Sequence, residues 1–580
     1  MLRTHHCGEL NHENAGEKVT LCGWVDRHRD MGPLQFVTIR DRYGVTQCVL
    51  DSKQSPLHQD LDKLNLEDCI QIQGIVRQRE EKDQNSSQPT GAIEVNMTAC
   101  KILNHSKELP FQVKDTTVVN DDLRLKYRYL DLRRPRMQTN LEIRHKVIQS
   151  CRQALCDMGF LEVETPLLVR STPEGARDFV VPSRLHQGRF YALPQSPQLY
   201  KQMLMVSGCD RYFQFAPAFR DEDLRADRVP VHTQIDMEMS FVEEADVFAA
   251  VEHYLQAIFT DIKGINLPTP FPILDFHQAI DLYGTDKPDT RFELTIKTVT
   301  KLMQETSFSR FQEAACVRAI AVPEGSRHSR KKIEQWQKIA QQSGAQGLAW
   351  VKYCRGEASG GIAKFLNSTN IENLLSIMEA SDDCLILFVA DTYETASHSL
   401  GAVRSVIGKE LELIDHGKFH FLWVNKFPLF EWNCQTQSYN AMHHLFTQPL
   451  EEDAHFLESD PSKVRGQLYD LVLNGVELLS GSIRINRPHI QKKILEIINM
   501  PREESESKFG FLMESFAYGA PPHGGSAMGL DRLVAILCGE ESIREVIAFP
   551  CNNSGIFPLD GSPAAIKEMQ LKELGIKTSD

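Results

Sequence analysis

Residues 219–228 read FRDEDLRADR, and seven of these ten positions carry charge. The segments on either side, RYFQFAPA (211–218) and HTQIDMEMSFV (232–242), have the apolar character of buried strands. A charged connection between two strands is often only a solvated loop, and this stretch alone leaves that interpretation open. The rest of the sequence has to decide whether the arginines and acids serve a ligand.

The length and charge of the chain limit its class. With 580 residues it is too long for one hydrophobic core, and the length predicts three or four domains. The net charge of -14 argues against a polyanionic partner. Residues 124–136, RLKYRYLDLRRPR, nevertheless carry six basic residues and one acidic residue. Because exposed charges are screened beyond about 10 Å, this local stripe can bind phosphates, although a solvated helix start is an equally good interpretation.

The cysteines and the apolar runs concern the cellular compartment. Fourteen cysteines are spread from Cys7 to Cys551 without a CxxC pair, which indicates neither a zinc knuckle nor a disulfide framework. The N-terminal MLRTHHCGEL has no apolar signal-peptide core, and no apolar run reaches the roughly 18 residues needed to span a bilayer. The sequence therefore predicts a soluble, cytoplasmic protein with no membrane partner.

The first hundred residues alternate as short strands separated by turn signals. Five strands with a helix-like insert near 56–66 predict a small closed barrel of the OB type. We expect the second strand to carry Arg27, Arg29 and Phe36, and the third to carry Gln47. Basic residues beside an aromatic ring suit stacking of single-stranded bases, but a lone aromatic such as Phe36 is more often a core residue.

Beyond the barrel, helical and strand-like patterns mix. Residues 139–160 have helical periodicity that ends at Gly159, and FLEVETPLLV (160–169) reads as a strand interrupted at Pro166, which belongs at an edge or an interface. Residues 284–414 have their own helix pattern (KKIEQWQKIAQQSG) and strands (GLAWVKY, CLILFVA), which indicates an inserted domain. The C-terminal residues show no obvious structure.

A hairpin signal follows in LYDLVLNGVELLSGSIRI (468–485). Asn474-Gly475 between apolar runs predicts a two-residue turn with Val472 opposite Glu477. Asp470 would then lie on the same side of the sheet as Glu477, about 7 to 8 Å away on the diagonal. Two acids at that distance can hold a hard divalent cation, whereas two solvated acids on an exposed face remain the alternative.

Near the C-terminus, YGAPPHGGSAMGLDRLVAIL (518–537) places Gly529-Leu530-Asp531-Arg532 at the start of an apolar helix. A helix entered through glycine presents free N–H groups, and an arginine in its first turn adds a forked cation. This element suits a phosphate. Alone it is weak evidence, but three segments now indicate polyphosphate with a metal.

These segments carry a resemblance to a known family. FLEVETPLLVRSTPEGARDF, the FRDEDLRADR hairpin with TQID, and GLDRL resemble motifs 1, 2 and 3 of the class II aminoacyl-tRNA synthetases. ALPQSPQLYKQ, YGTDKPDTRF and AMHHLFT are similar to the bacterial aspartyl type. The resemblance covers essentially the whole chain.

The resemblance implies a multidomain α+β protein with an N-terminal OB-type β-barrel, an antiparallel-sheet catalytic domain and an inserted α+β domain. The expected boundaries are 1–108 for the anticodon-binding barrel, 109–140 for a hinge, 141–283 and 415–555 for the two parts of the catalytic domain, 284–414 for the insertion, and 556–580 for a tail. Pro166 in motif 1 implies a homodimer.

The resemblance also implies an activity: activation of L-aspartate by ATP with Mg²⁺, and transfer of the aspartyl group to tRNA(Asp). The implied residues with a catalytic role are Arg220, Glu222 and Arg532. The ATP site would comprise Arg220, Asp221, Glu222, Val229, His232, Glu477, Gly529, Leu530, Asp531 and Arg532. The aspartate site would comprise Glu174, Gln198, Lys201, Arg220, Asp236, His443, His444 and Arg484. The metal ligands would be Asp470 and Glu477, and the anticodon contacts Arg29, Phe36, Gln47 and Glu94, which reverses the core interpretation of Phe36.

Within this scheme Lys201 and Arg484 are expected to pair with the side-chain carboxylate of aspartate. Asparagine would leave both cations buried and uncompensated, which would give selectivity. Gln198 and Asp236 would hold the ammonium group.

Some positions depart from the family pattern. His232 stands where an adenine-stacking Phe is usual, and an imidazole offers less stacking area. Val229 stands in RVPV where RQPEF is usual, Leu445 makes HHLF of HHPF, and Leu479-Ser480-Gly481 replaces a glycine run.

Three hypotheses about the function remain. The first is an aspartate-specific ligase, the second a drifted paralogue that binds RNA or nucleotide without charging tRNA, and the third an enzyme on the same fold that makes a small amide. The anticodon-type barrel opposes the third. Met31 beside Gly32 resembles the enzymes that charge one tRNA only, but the sequence leaves open whether tRNA(Asn) is also charged.

Overall fold

The computed structural model describes residues 1–51, 57–172 and 176–578. The chain forms two compact units, one of residues 1–142 with 544–564 and one of residues 143–543 with 565–580. In the described part of the chain, no helix combines the length and the apolar character that crossing a membrane requires.

The first unit contains the predicted barrel. Its strands are β1 (Lys18–Asp30), β2 (Leu34–Arg40), β3 (Val45–Asp51), β4 (Cys69–Gln78) and β5 (Ile93–Asn104). They close in the order β1-β2-β3-β5-β4 around a core that includes Val37 and Ile39 of β2. The five-strand barrel is therefore confirmed.

One detail of the barrel prediction is wrong. Arg27 and Arg29 belong to β1, not to the strand of Phe36, because β1 continues past Val25 through an irregularity in its pairing and ends at Asp30. Arg29 pairs directly with Phe36 across the two strands. A bulge lets a strand continue where the apolar alternation stops, so the sequence pattern underestimates its length.

The helices follow the periodic segments. They are α1 (Leu57–Leu61), α2 (Asp121–Lys126), α3 (Arg128–Asp131), α4 (Pro135–Asp157), α5 (Gln198–Val206), α6 (Glu244–Lys263), α7 (Phe276–Tyr283), α8 (Thr300–Gln304), α9 (Ser309–Gln312), α10 (Arg330–Gln342), α11 (Ser368–Met378), α12 (Tyr393–Glu410), α13 (Phe456–Ser459), α14 (Pro488–Ile497), α15 (Arg502–Phe516), α16 (Leu530–Cys538) and α17 (Glu568–Leu574). The helix predicted over 139–160 is confirmed as α4. The C-terminal stretch is not without structure, because the helix-forming EMQLKEL folds as α17 and ends at Gly575.

The second unit is built on two large sheets and two short hairpins. Its strands are β6 (Leu161–Glu162), β7 (Val180–Pro182), β8 (Phe190–Ala192), β9 (Arg211–Phe219), β10 (Val231–Ser240), β11 (Ile273–Asp275), β12 (Lys297–Thr298), β13 (Cys316–Pro323), β14 (Ala349–Cys354), β15 (Glu357–Ser359), β16 (Asp383–Asp391), β17 (Phe421–Asn425), β18 (Phe430–Asn433), β19 (Ser438–Ala441), β20 (Leu468–Leu473), β21 (Val476–Ile483) and β22 (His523–Gly529).

The larger sheet has eight strands in the order β11-β17-β20-β21-β22-β10-β9-β6. Its six central strands pair antiparallel, as predicted for the catalytic fold, and a parallel pair lies at each edge. The strand predicted over 160–169 is mostly wrong, because only Leu161–Glu162 pairs with β9. Pro166 has no N–H to donate to a ladder and follows this edge strand in the sequence, and its expected place at an edge or an interface stays a prediction.

The smaller sheet has five antiparallel strands in the order β12-β13-β16-β14-β15. Helices α10 and α12 cover one face through Trp336 and Leu400, and helices α8 and α11 cover the other through Met303 and Leu374. The predicted helix α10 and strands β14 and β16 are confirmed. This sheet lies within residues 284–414, whose boundaries as an inserted domain stay a prediction.

Candidate active site

A buried lysine of helix α5 contacts the central strand β10 of the larger sheet. Helix α5 presents Gln198 and Lys201 on its buried face, and Lys201 is 1% exposed. Its Nζ lies 2.8 Å from Asp236 Oδ1 and 3.2 Å from Glu238 Oε2. Because side chains of one strand alternate between faces, Asp236 and Glu238 of β10 point to the same side. Lys201 therefore bridges two buried carboxylates.

Arg484, just after β21, is fixed by the same acid. Its Nε and Nη2 donate to Glu238 Oε1 and Oε2 at 2.9 and 3.2 Å, and Nη1 donates to His444 Nε2 and Ser482 Oγ, both at 2.7 Å. Nη2 also donates to the Gly525 carbonyl at 3.2 Å. All five N–H groups of the guanidinium therefore have partners.

This geometry corrects one expectation. Lys201 and Arg484 are not uncompensated before a ligand carboxylate binds, because Asp236 and Glu238 together balance their charges within the protein. Glu238 is absent from the residues predicted from the sequence, although the pattern QIDMEM contains a signal: two acids two positions apart in an apolar strand share one face. Gly525 gives this carboxylate its room, since a Cβ there would lie 2.3 Å from Glu238 Oε2.

The electrostatics of the cluster keep its members in defined states. Burial raises the pKa of Asp236, against the opposing charge of Lys201. Burial alone would also raise the pKa of Glu238, but Arg484 and Lys201 together lower it below its usual range. Burial and the charge of Arg484 hold the pKa of His444 well below its usual value, so His444 is neutral and accepts from Arg484.

Two polar atoms of the cluster lack hydrogen-bond partners among the described residues. Gln198 Nε2 is a buried donor and Asp236 Oδ2 a buried acceptor. An unpaired buried polar atom costs free energy, so such atoms indicate a place for a polar ligand. A ligand with both an ammonium and a carboxylate group would satisfy the two atoms.

The charged stretch 219–228 lies where the sequence predicts, between β9 and β10, whose ends pair as Phe219 with Val231. The Arg220 backbone N–H donates to the Pro230 carbonyl at 2.9 Å, while its buried Nε has no partner in the described residues.

The other predicted positions of this stretch have various partners. Arg228 Nη1 lies 3.5 Å from Glu222 Oε2. Asp221 donates its backbone N–H to the Arg177 carbonyl and keeps its side chain half exposed, whereas Val229 is 3% exposed.

The start of α16 approaches this hairpin. Arg532 donates from Nη1 to the Glu477 carbonyl, and its Nη2 lies 3.5 Å from Asp227 Oδ2. Gly529 is the N-cap residue, and Leu530 is fully buried. Both carboxylate oxygens of Asp531 are occupied, one by Arg144 and one by the Thr233 N–H, so Asp531 positions the helix against β10.

His232 is influenced by the charges of both Arg220 and Arg532. Burial lowers the pKa of His232 to about 3, and the charges of Arg220 and Arg532 add to the effect. The imidazole is therefore neutral at physiological pH. Arg532 also contacts Glu477. The β9–β10 connection, α16 and β21 therefore meet at one place, next to Asp236 and Glu238 of β10 and their partner Lys201.

The acidic pair lies on the predicted hairpin. Val472 pairs with Glu477 and Leu473 with Val476, as predicted, but a bulge next to Val472 pairs Asp470 with Ser480. Asp470 is fully buried, and neither of its carboxylate oxygens has a hydrogen-bond partner in the described residues. Burial and the nearby charge of Glu477 raise the pKa of Asp470 well above its usual value.

These two acids fit a divalent cation as part of a larger ligand set. Within residues 1–51, 57–172 and 176–578, no cluster of three His, Cys, Asp or Glu side chains could hold a metal by itself. Mg²⁺ is commonly bound through one or two carboxylates and substrate phosphates, so orphaned oxygens on Asp470 suit that mode. His443 is a neighbour, with Nδ1 3.3 Å from Ser480 Oγ and 3.9 Å from Asp470 Oδ1. Glu174, the remaining predicted residue, lies outside the described residues.

Comparison with known proteins identifies the family of the chain. Residues 120–553 match the family described as tRNA synthetases class II (D, K and N). The chain belongs to the class II tRNA synthetases. The synthetase is 47% identical to two Streptococcus pneumoniae proteins named aspartate–tRNA ligase, one from strain Hungary19A-6 and one from serotype 19F strain G54. Each match covers 100% of this chain and 99% of the relative.

Solved structures share the fold. The synthetase has a TM-score of 0.59 and 18% identity to the asparaginyl-tRNA synthetase of Pyrococcus horikoshii complexed with asparaginyl-adenylate, with 95% of this chain and 98% of that chain covered. For the aspartyl tRNA synthetase of Entamoeba histolytica the TM-score is 0.57 at 18% identity, with 93% and 89% covered.

The barrel of the synthetase matches the OB-fold nucleic acid binding domain over residues 19–103. Phe36 is only partly buried and stands outside the barrel core. Gln47 pairs with Thr38, two residues along from Phe36, so both side chains point to the same face. Gln47 Nε2 donates to Glu94 Oε2 at 2.9 Å, and exposed Arg29 lies opposite Phe36. The four predicted anticodon residues thus form two pairs, Arg29 with Phe36 and Gln47 with Glu94. They lie on four successive strands of the barrel, β1, β2, β3 and β5.

Proposed function

We propose that this synthetase is an aspartate–tRNA ligase, which activates L-aspartate with ATP and transfers it to the 3′ end of tRNA(Asp). The observation that carries the proposal is the 47% identity, along the full chain, to proteins of that name. The paired acids and cations around β10 support it, because they suit an amino acid beside a nucleotide.

In the first step the α-carboxylate of aspartate attacks the α-phosphate of ATP, giving aspartyl-adenylate and pyrophosphate. Arg220 would bind the α-phosphate and the attacking carboxylate, which its unpartnered Nε supports. Arg532 would bind the γ-phosphate, and Glu222 the adenine. In the second step a terminal ribose hydroxyl of tRNA attacks the carbonyl, and AMP leaves. Positioning and charge neutralisation carry such a reaction.

The aspartate side chain would bind Arg484 at Nη1. The other donors of Arg484 face Glu238 and a carbonyl, whereas Nη1 faces the neutral acceptors His444 and Ser482, which a carboxylate can replace. Because Asp236 and Glu238 already compensate the two cations, the discrimination against asparagine is smaller than the full penalty for an unpaired buried charge. Asp236 Oδ2 and Gln198 would hold the amino-acid backbone groups.

Asp470 and Glu477 would hold Mg²⁺. When bound, the ion would supply charge neutralisation for the phosphates. The orphaned, buried oxygens of Asp470 support this assignment.

Aspartate-dependent ATP–pyrophosphate exchange, measured with and without tRNA(Asp), tests the proposal. We expect exchange and charging. Exchange without charging would favour the amide-forming alternative, and the absence of both would favour a drifted binding protein. Parallel charging of purified tRNA(Asn) decides whether that tRNA is a second substrate.

We also propose a homodimer and a cytoplasmic location. Leu161 of the edge strand and Leu167 and Leu168 beside Pro166 are 59%, 46% and 52% exposed, which supports a partner at this edge. Sedimentation velocity of the wild type and of a Leu167→Lys variant tests the dimer. All fourteen cysteines are free, as suits a reducing compartment.

A further inference from the structure

Lys287 forms an ion pair with Glu477 of the acidic pair, and no step of the proposed reaction uses it. Its Nζ lies 2.5 Å from Glu477 Oε2 and 3.9 Å from Asp286 Oδ2. Its side chain is 40% exposed, so the ammonium can leave this position for water. Among the residues of the acidic pair, Glu477 is therefore occupied by a cation while Asp470 is not.

The backbone around Lys287 is tied to the hairpin that carries Glu477. The segment of residues 284–291 follows α7. Within it, the Asp289 carbonyl accepts from Arg404 Nη2 at 2.9 Å. The Thr290 carbonyl lies 3.1 Å from His420 Nδ1. At the hairpin turn, a Cβ on Gly475 would approach Asp289 Cβ to 3.1 Å. The segment therefore has little freedom to move away from Glu477.

A divalent cation and Lys287 cannot use Glu477 independently. Mg²⁺ needs a carboxylate oxygen at about 2.1 Å, and Glu477 Oε2 already accepts from the ammonium. Two cations on one carboxylate repel each other, so binding of one weakens binding of the other.

We propose that Lys287 is a built-in counter-ion of the metal site, which occupies Glu477 before nucleotide binds and is displaced by the incoming divalent cation. Lys287 keeps Glu477 ordered and lowers the repulsion between Glu477 and Asp470 in the empty site. It also makes the site bind metal weakly until phosphates contribute further ligands. The inference rests on the proposed metal site at Asp470 and Glu477.

The test is binding of Mn²⁺ alone to the full chain without nucleotide, measured from the EPR signal of the free ion. We expect Lys287→Met to bind Mn²⁺ at least about fivefold more tightly than the wild type, the lower end of ordinary coupling between two ligands. Lys287→Arg keeps the charge and should stay near the wild type. The matched control is Lys332→Met, which breaks a similarly exposed ion pair with Glu410 far along the chain in the smaller sheet's helices and should change nothing.

Glu477→Gln separates the two levels of the argument. If Mn²⁺ binding survives that substitution unchanged, the metal site itself is wrong. If Glu477→Gln weakens binding while Lys287→Met binds no more tightly than the wild type, the counter-ion role alone is overturned. Unchanged Mn²⁺ affinity with weaker ATP binding in Lys287→Met would also overturn it and would assign Lys287 to the phosphates.

Discussion

Glu238 is a buried carboxylate that forms ion pairs with both Lys201 and Arg484. Replacing it with glutamine keeps the shape but leaves one buried positive charge in excess. Breaking a buried ion pair in this way costs about 3 to 5 kcal/mol. We therefore expect Glu238→Gln to lower the free energy of unfolding of the second unit by about 3 kcal/mol, measured by calorimetry, and to raise the KM for aspartate.

Glu252 provides the matched control for that variant. It is also buried, but among the residues that the structure describes it accepts from two neutral donors, the Trp423 indole and the Phe271 N–H. The Gln side chain keeps an oxygen that can accept from both donors, so Glu252→Gln removes no compensation of a buried cation. Equal destabilisation by the two substitutions would contradict the role given to Glu238.

His232 makes stability depend on pH. Its pKa is lowered to about 3 in the folded chain, against an ordinary value of 6.5 in the unfolded chain. Between these values the unfolded chain binds a proton that the folded chain does not, so stability falls as the pH decreases below 6.5 and is unaffected above it. At pH 5 the loss from this group is about 2 kcal/mol.

His232→Phe removes this titration and leaves the other histidines in place. We expect its loss of unfolding free energy between pH 7 and pH 5 to be about 2 kcal/mol smaller than in the wild type. The larger ring should also lower the KM for ATP, because it offers more stacking area to adenine. The same loss in both proteins would show that His232 titrates normally in the folded state.

The β20–β21 hairpin positions the acidic pair through its turn. Asn474 and Gly475 have φ of +54° and +83°, as the predicted two-residue turn requires, and Gly475 also packs against Asp289. Gly475→Ala should therefore cost about 2 to 3 kcal/mol, from backbone strain plus crowding. Thermal unfolding compares it with Gly539→Ala, at φ +71°, where an added Cβ would meet no atom of the described residues outside its chain neighbours within 4 Å. For that variant strain alone predicts about 1 kcal/mol. Equal costs would exclude the contact with Asp289.

The same hairpin shows what the sequence can predict. Its turn and the pairing of Val472 with Glu477 follow from Asn-Gly between apolar runs, and the strands around residues 219–228 follow from alternation. The bulge next to Val472 and the length of β1 do not, because a bulge changes register without a composition signal. The compensation by Glu238 and the contact of Lys287 with Glu477 join residues far apart in sequence, so only the folded chain reveals them.

The two compact units suggest a division between recognition of tRNA and chemistry on the amino acid. If Phe36 stacks on a base of the anticodon, its loss should affect only reactions that involve tRNA. Stacking contributes about 1 to 3 kcal/mol per base, so Phe36→Ala should lower kcat/KM for tRNA(Asp) charging roughly 5- to 150-fold. ATP–pyrophosphate exchange, which needs no tRNA, should stay at the wild-type rate. Ile75→Ala, which truncates an exposed side chain on β4, should alter neither reaction. A fall in exchange with Phe36→Ala, or a charging defect as large with Ile75→Ala, would mean that the ring supports the fold of the barrel and does not read a base.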